Sequence, residues 1–307
     1  MKRILRIGAG ALLAVLLLIA VKNEYARLLP VSSYGMQAAI QKKSVDHLFI
    51  GSSMFRQGLS IDILESELEG TSFILSYNGN QPAFIARELE YMLEEGLEVK
   101  NLYLDLYPYT AAATPWLSDT KILLDTDLAF KIDAWNLMAS NSETIFLDFY
   151  EMFVTANNEQ LLTYPIHNRL VSSQFRNGGN LLITSGQTKE YLDSLGMLGK
   201  RDGLQEAQVE GYERILELAG SHNIQVYFLE TPKYERMYQD EDYMELYAAC
   251  IQEIRRLAEG KEDTVILSLS KELNFDHSNP GYYQDLIHLS TEGRTTYTRL
   301  LCQALKN

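Results

Sequence analysis

The sequence has few of the residues that mark several common protein classes. Its 307 residues include only two cysteines, Cys250 and Cys302, each within an apolar helical pattern. The two thiols could pair with each other or remain small buried side chains, and two cysteines in separate helices do not make a metal site. No Gly/Ser-rich linker, low-complexity tract or internal repeat occurs. With 46% apolar residues, the chain can form one large domain with an insertion or two small domains.

Positive charge is also scarce. The chain has 27 basic and 41 acidic residues, which gives a formal net charge of −14. A protein that binds nucleic acid needs a basic face to neutralise phosphates. We therefore expect no nucleic-acid partner.

The longest uncharged apolar run lies near the N-terminus. Lys2, Arg3 and Arg6 precede residues 7–21, a run that is short for a membrane span and within range of a signal-peptide core. No A-x-A pattern follows and no nearby cysteine could carry a lipid, so an uncleaved anchor is favoured over a removed signal. The basic flank keeps the N-terminus in the cytoplasm and predicts a single-pass protein of the cell membrane with its main domain outside. The predicted division is an anchor at 1–21, a juxtamembrane connector at 22–44 and an α/β domain at 45–307.

Short apolar strands alternate with helices from residue 46 onward. Strands are predicted at 46–50, 72–79, 101–109, 224–232 and 264–270, and helices at 60–70, 82–96, 203–223, 241–260 and 290–305. Strands that are apolar throughout are typical of a parallel sheet covered on both faces. The predicted fold class is α/β with a flavodoxin-like, doubly wound parallel sheet, in which ligands bind at the carboxyl ends of the strands.

Residues 109–203 interrupt this alternation with a segment rich in aromatic and polar side chains. The segment follows the third strand, so we expect an insertion over the site that acts as a cap or a substrate wall. The alternative is a peripheral helical subdomain with no role in recognition.

Gly51-Ser52-Ser53 directly follows the first strand. A serine is a poor nucleophile unless a base lies beside it. Of the five histidines, His288 is the best candidate, because Asp285 lies three residues before it and the last helix follows. A D-x-x-H step can hold a carboxylate against Nδ1 and leave Nε2 free to accept a hydroxyl proton. The alternative is that Gly51-Ser52-Ser53 is an ordinary strand-ending turn.

Taken together, these motifs resemble the SGNH (GDSL-like) hydrolase superfamily, whose first block is Gly-Asp-Ser and whose last is Asp-x-x-His. Ser52 here replaces the aspartate of the first block. The resemblance implies that Ser53 is the nucleophile, His288 the base and Asp285 the acid that orients it. The Gly-Ser-Ser variant, the N-terminal anchor and the closing HLSTEG look like a membrane-tethered branch. That branch includes the D-alanyl-transfer protein of teichoic-acid modification and alginate O-acetylation proteins.

The second block of the family supplies a glycine whose backbone N–H helps to form an oxyanion hole. The stretch SYNGNQP offers Gly79 and then Asn80. The resemblance implies that the backbone N–H groups of Ser53 and Gly79, with the Asn80 side chain, stabilise the oxyanion. A turn without function is the alternative. The family's third block, Gly-x-Asn-Asp, is replaced by LDLYPYT, so its asparagine donor has no counterpart.

The predicted function is that of an extracytoplasmic serine esterase or acyltransferase. Ser53 would take an acyl group and pass it to water or to a hydroxyl of a cell-envelope glycan or polymer, with no metal or cofactor. The alternative is a catalytically degenerate scaffold or carbohydrate-binding protein of the envelope. A metal-dependent hydrolase built on Asp276, His277 and the D-x-x-H pair lacks any known ligand spacing, and an α/β-hydrolase would need a G-x-S-x-G that the chain lacks.

Overall fold

The computed structural model describes residues 2–27, 33–124, 126–139, 144–156, 158–261 and 265–306. The strands are β1 (Ser44–Gly51), β2 (Ser72–Ser76), β3 (Glu98–Asp105), β4 (Phe175–Arg176), β5 (Gly179–Asn180), β6 (Gln225–Leu229) and β7 (Val265–Ser268). The helices are α1 (Lys2–Arg27), α2 (Met36–Ile40), α3 (Ser53–Gly58), α4 (Ile61–Glu67), α5 (Pro82–Glu94), α6 (Pro108–Ala111), α7 (Leu128–Ala139), α8 (Ile145–Phe149), α9 (Asn158–Leu162), α10 (Tyr164–Gln174), α11 (Lys189–Ser194), α12 (Glu206–Ser221), α13 (Glu241–Ala258) and α14 (Thr291–Leu305).

Five parallel strands form the central sheet in the order β2-β1-β3-β6-β7. This is the flavodoxin-like order, so the predicted fold class is confirmed. Leu48, Phe49 and Ile50 of β1 are fully buried, because helices cover both faces of the sheet. The carboxyl ends of β1 and β3 lie side by side, since Ile50 pairs with Leu104.

The predicted strands and helices of the sheet domain are present, with boundaries shifted by a few residues. Helix α5 begins at Pro82, because proline lacks an N–H and the first turn of a helix leaves its N–H groups unpaired. Gly96 follows the helix in a left-handed conformation. Helix α3 was not predicted, because its six residues are too few to show an apolar period. It begins at Ser53 and therefore shapes the site.

The insertion contributes α7 to α11 and the β4–β5 hairpin. The hairpin covers the edge strand β2, where the Ile74 N–H donates to the Asn177 carbonyl at 2.9 Å. Only glycine fits at Gly178, because φ is +75° and a Cβ would lie 1.7 Å from the Ile74 oxygen. Beyond the hairpin, the Thr184 N–H donates to Thr291 Oγ1 at 2.8 Å at the start of α14. The insertion thus reaches the start of α14, and its role as a cap or wall stays a prediction.

Helix α1 extends past residue 21 to Arg27, and residues 28–32 of the predicted connector lie outside the described residues. Its Gly8–Tyr25 window is long and apolar enough to cross a membrane, and only 6% of it is buried within the protein. A membrane anchor and a signal sequence both fit this finding. The C-terminal end of α1 contacts the insertion, where Lys22 Nζ donates to the carbonyls of Val154 at 2.8 Å and Ala156 at 3.0 Å.

The two cysteines are free and fully buried. Burial raises the pKa of Cys250 to about 12 and that of Cys302 to about 11. The structure therefore supports the interpretation of two small buried thiols over that of a disulfide.

Candidate active site

Ser53 lies at the carboxyl edge of the sheet as the first residue of α3. Strand β1 ends at Gly51, and Ser52 caps the helix with an extended backbone. The Ser52 hydroxyl oxygen accepts the Met54 N–H at 3.2 Å, which is the contact expected of an N-cap serine. The Ser53 side chain therefore follows a strand-to-helix turn whose geometry Ser52 fixes.

Asp105, the last residue of β3, holds Ser52 from the neighbouring strand. Its Oδ2 accepts the Ser52 N–H at 3.0 Å and the Ser52 hydroxyl. Gly51 allows this approach, because a Cβ there would lie 2.4 Å from the Asp105 Cβ. The Ser52 hydroxyl thus already donates one hydrogen bond and accepts another. Asp105 was not among the predicted site residues, although a carboxylate at the end of a buried strand next to β1 could have indicated it.

The structure brings Ser53, His288 and Asp285 together. Ser53 Oγ lies 2.9 Å from His288 Nε2, and His288 Nδ1 lies 2.8 Å from Asp285 Oδ2. The other Asp285 oxygen accepts the backbone N–H groups of Ile287 and His288, each at 2.8 Å. One carboxylate oxygen therefore shapes the turn and the other orients the imidazole. When Nδ1 donates to the carboxylate, Nε2 is the acceptor that faces the serine hydroxyl.

The ionisation of Asp285 follows from these contacts. Partial burial would raise its pKa, but the hydrogen bond and charge of His288 and the two backbone N–H groups together lower the pKa below the usual value. The carboxylate is therefore ionised at neutral pH. An ionised Asp285 can stabilise a positive charge on the imidazole.

Two backbone donors remain near the serine. Gly79 adopts a left-handed conformation, with φ +60°, in the turn after β2. Within the described part of the chain, neither the Ser53 N–H nor the Gly79 N–H has a hydrogen-bond acceptor. The Asn80 amide is engaged elsewhere: its Nδ2 lies 2.9 Å and 3.1 Å from the two carboxylate oxygens of Glu88. The role of all three predicted donors in an oxyanion hole stays a prediction.

Arg56 ties the Gly79 turn to α3. Its guanidinium donates to Asn78 Oδ1 at 2.9 Å and to the Ser76 carbonyl at 2.6 Å, and it forms an ion pair with Asp119 at 3.3 Å. Asp119 in turn accepts the Asn78 N–H at 3.1 Å. A charged hydrogen-bond network of this kind holds the second strand's turn beside the helix that begins with Ser53. Sequence reasoning missed Arg56 and Asp119.

A buried lysine interacts electrostatically with Asp105. Lys233 is fully buried, donates to the Thr231 carbonyl and lies 5.3 Å from the centre of the Tyr107 ring. Burial lowers its pKa, while the charges of Glu230 and Asp105 oppose that shift. Burial likewise raises the pKa of Asp105, and the Lys233 charge and the Ser52 hydrogen bonds oppose it. Lys233 therefore offsets part of the cost of burying the carboxylate that holds Ser52.

Comparisons with known proteins give low similarity. No family model and no curated protein matches this chain. Among solved structures, the chain is similar to a candidate platelet activating factor from Streptococcus pneumonia, with 15% identity, a TM-score of 0.42 and 99% of each chain covered. It is also similar to a candidate acylhydrolase from Bacteroides fragilis, with 12% identity, a TM-score of 0.40 and coverage of 94% of this chain and 93% of that one. A GDSL-like lipase from Bacteroides thetaiotaomicron gives 11% identity, a TM-score of 0.40 and coverage of 94% and 95%. These values are too low to assign an activity.

Proposed function

We propose that this protein is a membrane-tethered serine esterase or O-acyltransferase that acts on acyl groups of a cell-envelope glycan or polymer. One observation carries the proposal: the Ser53 hydroxyl lies 2.9 Å from His288 Nε2, while Nδ1 of the same ring lies 2.8 Å from Asp285. A nucleophile in contact with a base that a third group orients is the arrangement that activates serine for acyl transfer.

In the proposed reaction, Ser53 Oγ attacks the acyl carbonyl carbon and His288 Nε2 takes the hydroxyl proton. Asp285 stabilises the imidazolium that forms. The N–H groups of Ser53 and Gly79 stabilise the oxyanion of the tetrahedral intermediate. His288 then gives its proton to the departing alkoxide, which leaves an ester on Ser53. Water or a sugar hydroxyl next attacks this ester with His288 as base, and the acyl group leaves while Ser53 regains its proton.

The contacts of the two serines support Ser53 over Ser52 as the nucleophile. The Ser52 hydroxyl donates to buried Asp105 and accepts from the Met54 N–H, and the residue is only 2% exposed. The Ser53 hydroxyl faces the imidazole instead. A serine that already caps a helix and donates to a buried carboxylate would have to break both contacts to attack a substrate.

Helix α1 supports the proposed location outside the cytoplasm and the proposed substrate class. Its apolar side chains are exposed, which is costly in water and favourable in lipid. With the basic residues at the N-terminus of α1, an uncleaved anchor would keep the sheet domain outside the cytoplasm. An acylated envelope polymer is the substrate class that an enzyme in that position would meet.

Labelling with a fluorophosphonate probe, followed by mass spectrometry of the modified peptide, tests this proposal. We expect the probe on Ser53, loss of labelling in Ser53→Ala, and full labelling in the matched control Ser66→Ala, an exposed serine on α4. Unchanged melting temperatures would exclude unfolding as the cause. If the folded wild-type protein does not react, the chain is a scaffold or binding protein. If Ser52 carries the probe, the assignment of the nucleophile is wrong.

A second measurement separates an esterase from an acyltransferase. Acyl-enzyme formed from an activated ester can be mixed with buffer alone or with an oligosaccharide acceptor. Faster release of the acyl group with the acceptor, together with an acylated sugar, indicates a transferase. Equal rates and free acid indicate an esterase.

A further inference from the structure

The insertion exposes a group of large apolar side chains that no described residue covers. We call this group the apolar patch, and it consists of Phe146, Leu147, Tyr150, Leu162 and Ile166. Phe146 is 89% exposed and Leu162 is 87% exposed. Scattered apolar residues are normal on a protein surface, but five within four successive helical segments need an explanation.

In two helices of the insertion, an ionisable side chain is buried while an apolar neighbour is exposed. On α8, Asp148 is only 3% exposed, while its neighbours Phe146 and Leu147 point outward. On α7, Lys131 is 1% exposed and Ile132 beside it is exposed. A helix on the surface of a water-soluble domain places its apolar side chains inward. Where the surroundings are lipid, ionisable side chains face the protein interior and apolar ones can face outward.

The apolar patch lies next to the end of α1 that leaves the candidate membrane span. The π-helical turn Tyr150–Thr155 begins within the patch, and the carbonyls of Phe153 and Val154 accept hydrogen bonds from Asn23 at 3.3 Å and Lys22 at 2.8 Å. Burial raises the pKa of Tyr164 on α10, and the nearby charge of Tyr25 on α1 adds to that shift.

We propose that the apolar patch inserts into the outer leaflet of the bilayer, at the boundary between headgroups and acyl chains, beside α1. Lipid is the partner favoured by the position of α1, because Phe153 and Val154, which bind the C-terminal end of α1, lie in the same π-helical turn as Tyr150 of the apolar patch. The tyrosines around this junction, Tyr25, Tyr150 and Tyr164, are the residue type that is enriched at membrane interfaces. The inference rests on the proposed membrane anchor and is independent of the acyl chemistry.

The consequence is a domain held to the membrane at two adjacent places. A single helix would leave the tilt of the domain on the bilayer less restricted. A helix together with an inserted patch fixes the orientation of the domain, and with it the height of Ser53 above the lipid.

Environment-sensitive labels on the full-length protein test this inference. The protein is reconstituted in vesicles of equal parts phosphatidylcholine and phosphatidylglycerol, and Phe146→Cys and Leu162→Cys are each labelled with the fluorophore NBD. We expect a blue-shifted emission, strong quenching by lipids that carry a nitroxide on the acyl chain, and quenching by aqueous iodide that is several-fold weaker than at a water-exposed site. Both positions are exposed, so substitution leaves the core intact.

Three controls make the result decisive. Glu190→Cys, exposed on α11 of the same insertion, gives the water-exposed reference. Leu16→Cys, in the middle of α1, reports on the anchor itself. The wild-type protein should remain unlabelled, because Cys250 and Cys302 are 0% exposed.

The possible outcomes separate the patch from the anchor. Iodide quenching at Phe146 and Leu162 equal to that at Glu190, with Leu16 protected, would leave the anchor in place and overturn the inserted patch. Protection from iodide without quenching by nitroxide lipids would show that a second copy of the chain covers the patch, which also overturns the inference. Iodide quenching at Leu16 would show that α1 does not lie in the bilayer, and the inference would lose the anchor on which it rests.

Discussion

Replacement of Gly51 by alanine should disturb the site without removing any chemical group from it. The added Cβ would lie 2.4 Å from the Asp105 Cβ and 3.0 Å from a Phe55 ring carbon. The Asp105 Cβ is bonded directly to the backbone of β3 and cannot rotate away. To reach an ordinary contact of 3.4 Å, the ends of β1 and β3 must separate by about 1 Å.

That separation sets the expected magnitudes. Overpacking of a well-packed interior costs about 1–3 kcal/mol of the free energy of unfolding. Asp105 holds Ser52, and Ser52 caps the helix that begins with Ser53, so the shift also reaches the serine hydroxyl. A displacement of about 1 Å at a reacting group can lower the rate about 10²-fold. We therefore expect Gly51→Ala to lower kcat by about that factor while KM changes less.

The assay compares hydrolysis of p-nitrophenyl acetate and urea unfolding for the wild type, Gly51→Ala and Gly220→Ala. Gly220 is the matched control, because it lies in α12 and a Cβ there meets no heavy atom within 4 Å. Its replacement should leave kcat unchanged and leave stability equal or about 0.5–1 kcal/mol higher. If Gly51→Ala has the same stability and kcat as the wild type, the close approach of β1 to Asp105 does not position Ser53.

Three further predictions concern the groups around the serine. Ser53→Ala, His288→Ala and the double variant should all lower kcat to one common floor, because residues of a triad act as a unit, and additive losses would contradict a shared reaction coordinate. Asp105→Ala should lower the free energy of unfolding by about 1–3 kcal/mol, because it leaves the buried donors of Ser52 without an acceptor, and urea unfolding would show this. Asp285→Asn should make stability less sensitive to acid. The folded-state pKa of Asp285 is lowered, so its contribution is present above the unfolded value of about 3.9 and is lost as pH falls through the folded value. Melting temperatures between neutral pH and pH 3 should therefore fall further for the wild type than for the variant, and equal falls would contradict the prediction.

Local patterns in the sequence were enough to predict the sheet domain. Apolar strands such as 46–50 show no polar alternation, which indicates burial on both faces, and Pro82 and Gly96 mark the ends of α5. The pairing of Asp285 with His288 was also predictable, because three residues separate them and one turn brings them together. Each of these features depends on residues close together in the chain.

The sequence pointed to Ser53 as nucleophile and His288 as its base, but local spacing could not show that the two lie side by side. Ser53 and His288 are 235 residues apart, and only the parallel order of the strands brings the end of β1 and the loop before α14 to one edge of the sheet. The same holds for Asp105, whose contact with Ser52 depends on the register of β1 against β3. In the sequence, Asp105 is only one polar residue within an apolar stretch.

Asn80 shows most clearly what only the tertiary structure decided. Its position after the second strand made it a candidate donor for an oxyanion, with a turn without function as the alternative. The fold of α5 brings the buried carboxylate of Glu88 within 2.9 Å of the Asn80 amide. A buried carboxylate needs donors, and the Asn80 amide supplies them to Glu88. The sequence by itself determined which elements form and where the reactive residue types lie along the chain. The packing of distant elements decided which partner each polar group meets, because hydrogen bonds depend on distances that the order of residues does not contain.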